Sequence, residues 1–463
     1  MYYVSTRGRV SPRIFKNTLL EGLAPDGGLY MPEWYPELDL NALRGREYVN
    51  VASAVFSDYA PDISYFDLKK IIMKTYTVEV FGTKEITPIK MLEPGLGLLQ
   101  LSNGPTLAFK DVPLQLLGNL MEYMLEKEDN ELNILAATSG DTGPAAEHAL
   151  CGKRRLRVFM LSPYGRMSRF QQRQMYTIDD PRIFNLVVDG TFDDCQALVK
   201  KVNADAEFKK RYRLGAVNSI NWARIAAQVV YYVYGYLQAT RHNKQRVMFA
   251  VPSGNFGNAL SAYIAQQMGL PIDIIVATNE NDVLDEFFHT GVYRVRKGTE
   301  VKATSSPSMD IASASNFERF IFDHAKEGAS EFVRNLWEEL RKTGEFKVPF
   351  LLAGSLSEMK SGMATEADVL QTIRLIYNKY GVIIDPHTAV GMHVGLRYRE
   401  LGEPLIVVET AQPAKFEDTI RQAIGIEPPV PERYKELANL PEYTFRIDPD
   451  AEQVKQFIAS HLK

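Results

Sequence analysis

From residue 130 onward, the sequence alternates short apolar runs with segments of helical periodicity, and turns separate them. This alternation indicates a parallel sheet built from βαβ units. Several runs are apolar throughout, as expected for strands buried on both faces. The predicted strands are residues 132–137, 156–161, 184–188, 247–251, 272–277 and 405–408, and the predicted helices include residues 144–150, 193–202, 222–237 and 259–268. The pattern predicts an α/β fold.

The first 95 residues lack this alternation. Helical periodicity covers residues 48–59 and 65–76, and a turn with paired glycines occupies residues 24–29. A chain of 463 residues is expected to form roughly three folding units, at about 150 residues each. We therefore predict a mainly helical N-terminal domain over residues 1–95, followed by two α/β layers that divide near the polar stretch 240–246.

Composition excludes several classes of protein. Lys and Arg number 53 against 57 Asp and Glu, so no overall positive charge favours nucleic-acid or membrane-surface binding. No apolar run approaches the roughly 20 residues that a membrane span requires, and residues 1–10 lack the apolar core of a signal peptide. The two cysteines have no metal-ligand spacing. We expect a cytoplasmic protein without a metal, nucleic-acid or membrane partner.

Ligands of open α/β sheets bind beyond the carboxyl ends of the strands, so the turns at those ends are candidate sites. Residues 252–258 (PSGNFGN) lie between a predicted strand and helix. Gly254 and Gly257 permit close approach of a ligand to the backbone, and the helix N-terminus favours an anion such as phosphate. The turn matches neither GxGxxG nor a P-loop. The alternative is a glycine-rich turn that only connects the two elements.

Two further turns contain candidate residues. In residues 138–143 (TSGDTG), hydroxyls and backbone amides suit a carboxylate, although Asp141 is equally typical of a helix N-cap. In residues 104–111 (GPTLAFKD), Lys110 is either a solvated first-turn lysine or a partly desolvated one. Desolvation lowers the pKa of a lysine and makes its amine a nucleophile that forms Schiff bases.

The motifs, taken together and in this order, resemble the threonine synthase family of the long bacterial and fungal type. This family belongs to the fold-type II enzymes, which use pyridoxal phosphate. The matching segments are STRG (5–8), APDGGLY (24–30), GPTLAFKD (104–111), TSGDTG (138–143), NSIN (218–221), PSGNFGN (252–258), SPSMDI (306–311), DPHTAVG (385–391) and AQPAKF (411–416). The resemblance implies a fold like that of the tryptophan synthase β subunit, with two open parallel or mixed αβα layers behind the helical domain. It implies a large cofactor-binding domain of residues 96–130 and 246–463, and a small α/β domain of residues 131–245.

The resemblance also implies roles for individual residues. Lys110 is expected to be the catalytic lysine that forms the Schiff base with pyridoxal phosphate, and Thr410 to face the pyridine nitrogen. The residues expected at the cofactor phosphate are Gly254, Asn255, Phe256, Gly257 and Asn258. Those expected at the substrate carboxylate are Thr138, Ser139, Gly140, Asp141 and Thr142. Those expected near a substrate phosphate are Asn218, Ser219, Asn221 and Arg224, although Arg224 is also compatible with a surface ion pair and Asn221 with a helix cap.

The implied activity is that of a carbon–oxygen lyase in threonine biosynthesis, which converts O-phospho-L-homoserine and water to L-threonine and phosphate. The protein is expected to be a monomer or a homodimer. One alternative is a related phospholyase that releases 2-oxobutyrate, ammonia and phosphate. Another is an inactive binding or regulatory homologue, against which the retained Lys110 argues. Gln412 departs from the family pattern, which has His there. His387 is expected to be structural, and Lys415 to be solvated.

Overall fold

The larger of two main sheets forms the centre of the molecule. The computed structural model describes residues 1–349, 359–400 and 402–462. In spatial order the strands of this sheet are Lys360–Met363, Ile272–Thr278, Val247–Pro252, Leu405–Glu409, Leu96–Gln100 and Ile89–Glu93. Neighbouring strands are parallel except for the last pair, which is antiparallel. The central parallel strands Val247–Pro252 and Leu405–Glu409 are buried along their whole length, as expected where both faces of a sheet are covered.

The smaller sheet is parallel throughout, and its strands in spatial order are Phe445–Ile447, Ile183–Val188, Leu156–Pro163, Leu132–Ala137 and Leu214–Gly215. Two antiparallel pairs complete the strands: Tyr3–Ser5 with Tyr30–Pro32, and Val292–Arg294 with Glu345–Lys347. The α/β class and the parallel or mixed sheets are as the sequence predicted.

Helices surround both sheets. In the N-terminal region they are Phe15–Glu21, Leu40–Leu43, Tyr48–Ser57, Tyr65–Thr75 and Val78–Phe81. The others are Asp111–Lys127, Thr142–Leu150, Arg169–Tyr176, Phe192–Ala204, Ala206–Arg211, Trp222–Ala239, Gly257–Gln267, Val283–Thr290, Phe317–Ala325, Ala329–Thr343, Glu366–Tyr380, Pro386–Arg397, Glu417–Ile424 and Ala451–His461. Among the described residues, none of these helices combines the length and apolar character needed to cross a membrane.

Two strands pair across the expected domain boundaries. The strand Ile89–Glu93 lies within residues 1–95 but pairs with Leu96–Gln100 in the larger sheet. The strand Phe445–Ile447 lies within residues 246–463 but pairs with Ile183–Val188 in the smaller sheet. It has only three residues, of which two are exposed, so it lacks the long buried apolar run of a strand such as Val247–Pro252. We propose that residues from about 443 onward belong to the smaller unit.

The helix Trp222–Ala239 lies within the residues expected to form the small α/β domain (131–245), but it packs against other parts of the molecule. Its Tyr232 ring lies 5.3 Å from that of Phe249 in the larger sheet. The Trp222 ring lies 5.8 Å from that of Tyr3 and 5.6 Å from that of Tyr59, both in the N-terminal region. This helix therefore packs between the larger sheet and the N-terminal region, and its predicted aromatic stripe is core.

Candidate active site

The turns that follow strands of the two sheets meet at one place. Lys110 lies in the segment after the larger-sheet strand Leu96–Gln100, and Asp141 lies in the loop after the smaller-sheet strand Leu132–Ala137. The Lys110 Nζ lies 3.5 Å from the Asp141 Oδ2. A cleft between the carboxyl ends of two sets of parallel strands is the expected ligand position in such folds.

The turn that carries Lys110 is held by its neighbours. The buried carboxylate of Asp111 accepts hydrogen bonds from the backbone amide of Thr106 at 2.8 Å and from its hydroxyl at 2.7 Å. The amide of Gln412 donates to the carbonyl of Leu107 at 3.0 Å, which joins the turn to the segment after Thr410. Leu107 itself has a φ of 58°, a conformation that is uncommon for a branched residue and needs support from its surroundings.

The Lys110 amine is largely desolvated, with 13% of its side chain exposed. It donates to the Ser308 Oγ at 3.1 Å. Burial lowers the pKa of Lys110, the nearby Asp141 carboxylate opposes that effect, and the cations Lys415 and Arg224 add to it. A lowered pKa increases the fraction of neutral amine, which is the nucleophilic form.

Asp141 differs from the predicted carboxylate-binding role. Its carboxylate lies 2.7 Å from the Lys415 Nζ and accepts hydrogen bonds from the Ser308 Oγ at 2.8 Å and the Gln171 Nε2 at 3.0 Å. Burial alone would raise the pKa of Asp141, but Lys415 and Lys110 hold it well below its usual value. An ionised side chain repels a second carboxylate, so these contacts argue against the Asp141 side chain as a ligand of the substrate carboxylate.

Lys415 was expected to be solvated, and this expectation is wrong because the residue is 1% exposed. Ser308 and Gln171 also contact Asp141, although none of these three residues was predicted for the site. Ser308 and Lys415 lie within the SPSMDI and AQPAKF motifs, so the motifs were the available signal.

The remaining residues of the TSGDTG loop divide into two kinds. The buried Thr138 shapes the turn, because its hydroxyl accepts from the amides of Gly140 at 3.1 Å and Gly143 at 2.8 Å. Ser139 is exposed and Thr142 is half-buried at the start of a helix. The loop thus presents Ser139, Thr142 and helix N-terminal amides as candidate ligands for a carboxylate.

The PSGNFGN turn has the close packing expected of an anion cradle. A Cβ atom on Gly254 would lie 2.8 Å from the Ser308 carbonyl oxygen and 3.0 Å from the Met309 Cα. Phe256 has a φ of 63° at the start of the helix Gly257–Gln267, and its ring packs 5.4 Å from that of Phe317. Phe256 therefore offers the ligand its backbone, since its side chain belongs to an aromatic core.

The asparagines of this turn are also constrained. The Asn255 side-chain oxygen accepts from the Ser315 hydroxyl at 3.3 Å. The Asn258 side-chain oxygen accepts from the hydroxyls of Tyr231 and Tyr232, each at 2.6 Å. The Asn258 Nδ2 is buried and has no hydrogen-bond partner among the described residues. An unpartnered buried donor at a helix N-terminus suits an anionic phosphate.

Thr410 follows the strand Leu405–Glu409 and has a buried hydroxyl that lacks a hydrogen-bond partner within the described chain. Its backbone amide donates to the Thr388 hydroxyl at 3.3 Å. Buried polar atoms are normally paired, so the free hydroxyl favours a bound group with a complementary atom. A pyridine nitrogen provides such an atom.

Arg224 lies in the first turn of the helix Trp222–Ala239 and is 4% exposed. Its Nε and Nη1 atoms have no partner among the residues that the structure describes. Burial lowers the pKa of Arg224 to about 10. The residue is not a surface ion pair, which was one of its two interpretations. An unpaired buried guanidinium is costly and suits bidentate binding of a phosphate.

The other residues predicted near the substrate phosphate have different surroundings from Arg224. The Asn221 side chain accepts from the Ala223 amide at 3.0 Å and donates to the Leu19 carbonyl at 2.8 Å, so it caps the helix that carries Arg224. The Asn218 side-chain oxygen is buried without a partner in the described residues, and Ser219 is half-buried. Asn221 is therefore better explained as a residue that orients Arg224.

His387 and Gln412 each make specific hydrogen-bond contacts beside the site. His387 is buried; its Nδ1 lies 2.9 Å from an Asp385 oxygen and its Nε2 accepts from the Ser308 amide at 3.2 Å. Gln412 donates to the Ser102 hydroxyl at 3.0 Å and to the Glu409 carboxyl group at 3.4 Å. Both residues support the walls of the cleft.

Comparison with known proteins agrees with this geometry. Residues 2–76 match the pattern described as the threonine synthase N terminus, residues 90–409 match that of pyridoxal-phosphate dependent enzymes, and residues 388–458 match the threonine synthase C-terminal pattern. A threonine synthase of Methylobacillus glycogenes is 51% identical, with all of both chains covered. The chain belongs to the threonine synthase family.

Further relatives of this family support the assignment. A threonine synthase of Corynebacterium glutamicum is 50% identical over 100% of this chain and 99% of its own. The crystal structure of a pyridoxal-phosphate-bound threonine synthase from Brucella melitensis has a TM-score of 0.96, 39% identity and full coverage of both chains. The predicted family, fold class, lyase activity and pyridoxal phosphate cofactor are therefore confirmed.

Proposed function

We propose that the cleft converts O-phospho-L-homoserine and water to L-threonine and phosphate. The observation that carries this proposal is Arg224, a buried guanidinium with unpartnered Nε and Nη1 among the described residues, whose charge acts on Lys110. The cofactor phosphate already has a candidate position at the start of the helix Gly257–Gln267. A second anion position beside the reactive lysine fits a substrate that carries its own phosphate.

The residues present fit pyridoxal phosphate. Lys110 would hold the cofactor through its amine, the turn from Gly254 to Asn258 would hold its phosphate, and Thr410 would face its pyridine nitrogen. The unpartnered Thr410 hydroxyl and Asn258 Nδ2 support this placement, as does the lack of space for a side chain on Gly254. When bound, pyridoxal phosphate delocalises the negative charge that develops at the substrate carbons.

The substrate would span the two anion positions. Its α-carboxylate would meet Ser139, Thr142 and the loop amides, and its phosphate would meet Arg224 with Asn218 and Ser219. These contacts would place the carbon chain between the loop and Arg224, beside the Lys110 amine. Binding both ends orients the reacting carbons and lowers the entropic part of the barrier.

Lys110 would be the proton carrier. Its amine would remove protons from the α and β carbons of the substrate. The carbon–oxygen bond at the γ carbon then breaks, and phosphate leaves with the bonding electron pair. Water would add its hydroxyl at the β carbon and give its remaining proton to the departing phosphate, while the two protons taken by Lys110 would return to the α and γ carbons. The sum is one water consumed and one phosphate released for each threonine.

Product analysis tests the proposal. Purified protein supplied with pyridoxal phosphate and O-phospho-L-homoserine is expected to form L-threonine and phosphate in equal amounts. Lys110→Ala is expected to abolish both the products and the visible absorbance of lysine-bound cofactor. Formation of 2-oxobutyrate and ammonia without threonine would instead assign the phospholyase activity, and no turnover by a correctly folded, cofactor-loaded protein would contradict both activities.

We further propose that the protein acts in the cytoplasm as a monomer or homodimer and binds only small molecules. Its near balance of 53 basic and 57 acidic residues supports the absence of nucleic-acid partners. Light scattering on the purified protein is expected to give one or two times 52.3 kDa, and a larger assembly would contradict this proposal.

A further inference from the structure

Lys415 is a buried cation to which the proposed reaction gives no role. Its side chain is 0% exposed, although fully buried lysines are rare unless they are paired. Its ammonium donates to the Thr106 carbonyl at 2.9 Å and lies 2.7 Å from the Asp141 Oδ1.

These two contacts join separate parts of the molecule. Thr106 belongs to the turn that carries Lys110, and its amide and hydroxyl bind Asp111 at the start of the next helix. Asp141 belongs to the smaller sheet, in the loop after Leu132–Ala137. Lys415 itself follows the larger-sheet strand Leu405–Glu409. One ammonium thus connects the loop of one sheet with the lysine-bearing turn of the other.

The charged groups that act on Lys110 come from several elements of the described structure. Its amine faces the Asp141 carboxylate, and the cations Lys415 and Arg224 act on it as well. His387 acts on Asp141 and binds the Ser308 amide, while the Ser308 hydroxyl contacts both Asp141 and Lys110. Without Lys415, the Lys110 amine would be the one remaining lysine or arginine cation in ion-pair contact with Asp141 in the described structure.

We propose that Lys415 is a positioning residue for Lys110: it holds the Asp141 carboxylate against the lysine-bearing turn and shares its charge, so that Asp141 does not pair with Lys110 alone. This inference rests on the proposed function, because it takes Lys110 as the cofactor-binding lysine. It implies that removing Lys415 and removing Asp141 shift the pKa of Lys110 in opposite directions. Loss of the Lys415 charge strengthens the Asp141–Lys110 pair and raises the pKa of Lys110, whereas loss of the Asp141 charge lowers it.

The test measures how the rate of pyridoxal phosphate attachment to the full-length, cofactor-stripped protein depends on pH, by visible absorbance. In Lys415→Met the midpoint is expected to shift to higher pH by roughly one unit or more. In Asp141→Asn it is expected to shift to lower pH. The double variant is expected to lie nearer the wild type than either single variant, because the two shifts oppose each other. Lys435→Met, which removes a lysine that is 59% exposed, is the matched control and leaves the midpoint unchanged.

The outcomes separate this inference from the proposed function. Failure of the wild type to bind pyridoxal phosphate through Lys110 would remove the proposed function itself. If the wild type binds it but Lys415→Met and Asp141→Asn shift the midpoint in the same direction or not at all, only the role of Lys415 is overturned. If Lys415→Met fails to fold, as circular dichroism would show, Asp141→Asn and the double variant decide. Both of these variants replace Asp141, so neither contains a buried carboxylate that has lost Lys415. A midpoint in Asp141→Asn at or above the wild-type value would refute the proposal.

Discussion

The backbone amide of Phe109 donates a hydrogen bond to the carbonyl of Thr410 at 2.8 Å. An antiparallel bridge between Ala108 and Ala411 reinforces this contact. The residue before Lys110 is therefore tied directly to Thr410, 301 positions later in the chain. This hydrogen bond sets the separation between the proposed cofactor lysine and the hydroxyl proposed for the pyridine nitrogen.

Removing the Thr410 hydroxyl is expected to weaken cofactor binding without weakening the fold. Thr410→Val keeps the shape and removes a buried hydroxyl that lacks a partner in the described residues. One hydrogen bond contributes about 1 kcal/mol net, so the dissociation constant for pyridoxal phosphate should rise roughly fivefold. Absorbance titration measures this constant, and thermal unfolding of the cofactor-free protein should show an equal or higher midpoint. Thr410→Ser retains the hydroxyl and serves as the control; equal affinities for all three proteins would contradict the assignment.

Arg224→Met is expected to weaken substrate binding far more than cofactor binding. The substitution removes an unpaired buried guanidinium, so the free energy of unfolding should stay constant or rise. The KM for O-phospho-L-homoserine should increase about 100-fold or more, since a charge-assisted hydrogen bond contributes about 1.5–3 kcal/mol and two are lost. Steady-state kinetics and inhibition by inorganic phosphate measure the effect. The control is Arg241→Met, which removes an exposed arginine; an unchanged phosphate inhibition constant in Arg224→Met would exclude Arg224 from the phosphate site.

Glu409 is expected to make the stability depend on pH. Burial raises the pKa of Glu409 to about 7, while hydrogen bonds from Ser102 and Gln100 partly oppose this. The folded protein therefore binds this proton more tightly than the unfolded chain, whose pKa is near 4.5. The resulting stabilisation is complete below about pH 4.5 and is lost as the pH rises through 7, by up to about 3 kcal/mol. Glu409→Gln keeps a neutral side chain, so its free energy of unfolding should lack this decline. Denaturant titrations from pH 4.5 to 8 test this, and parallel curves for the two proteins would show that Glu409 does not titrate in this range.

The turn at Gly254 is expected to tolerate no side chain. In Gly254→Ala, the new Cβ meets backbone atoms of Ser308 and Met309 at 2.8 and 3.0 Å, so the two segments must separate. We expect about 1–3 kcal/mol lower stability and weaker binding of pyridoxal phosphate. Gly257→Ala is the matched comparison, since its nearest contact is the Asn316 Nδ2 at 3.3 Å. Thermal unfolding should show the larger loss of stability in Gly254→Ala, and an unchanged affinity for pyridoxal phosphate in both variants would contradict the proposed cradle.

Local sequence predicted much of the secondary structure and the motif positions. The six predicted strands, including Leu132–Ala137 and Val247–Pro252, form because runs of buried apolar residues satisfy a parallel sheet wherever they pair. The capping residues and glycines of the turns after them likewise act within a few residues. Lys110 and the PSGNFGN turn could therefore be located from the sequence, but residue type left their roles open, and the family resemblance supplied the predicted ones.

What local sequence could not show was which groups meet. The strand Phe445–Ile447 has only three residues and therefore shows no long apolar run. Only its pairing with Ile183–Val188 reveals that the chain returns to the smaller sheet. The sequence made Asp141 compatible with a substrate contact or a helix cap, and Lys415 with a solvated lysine, because neither charge has its partner nearby in sequence. The sequence by itself determined the fold class and the family, and through the family resemblance it predicted the cofactor-binding lysine. The tertiary structure decided the electrostatic surroundings of that lysine, because burial and charge pairing depend on contacts between residues far apart in the chain.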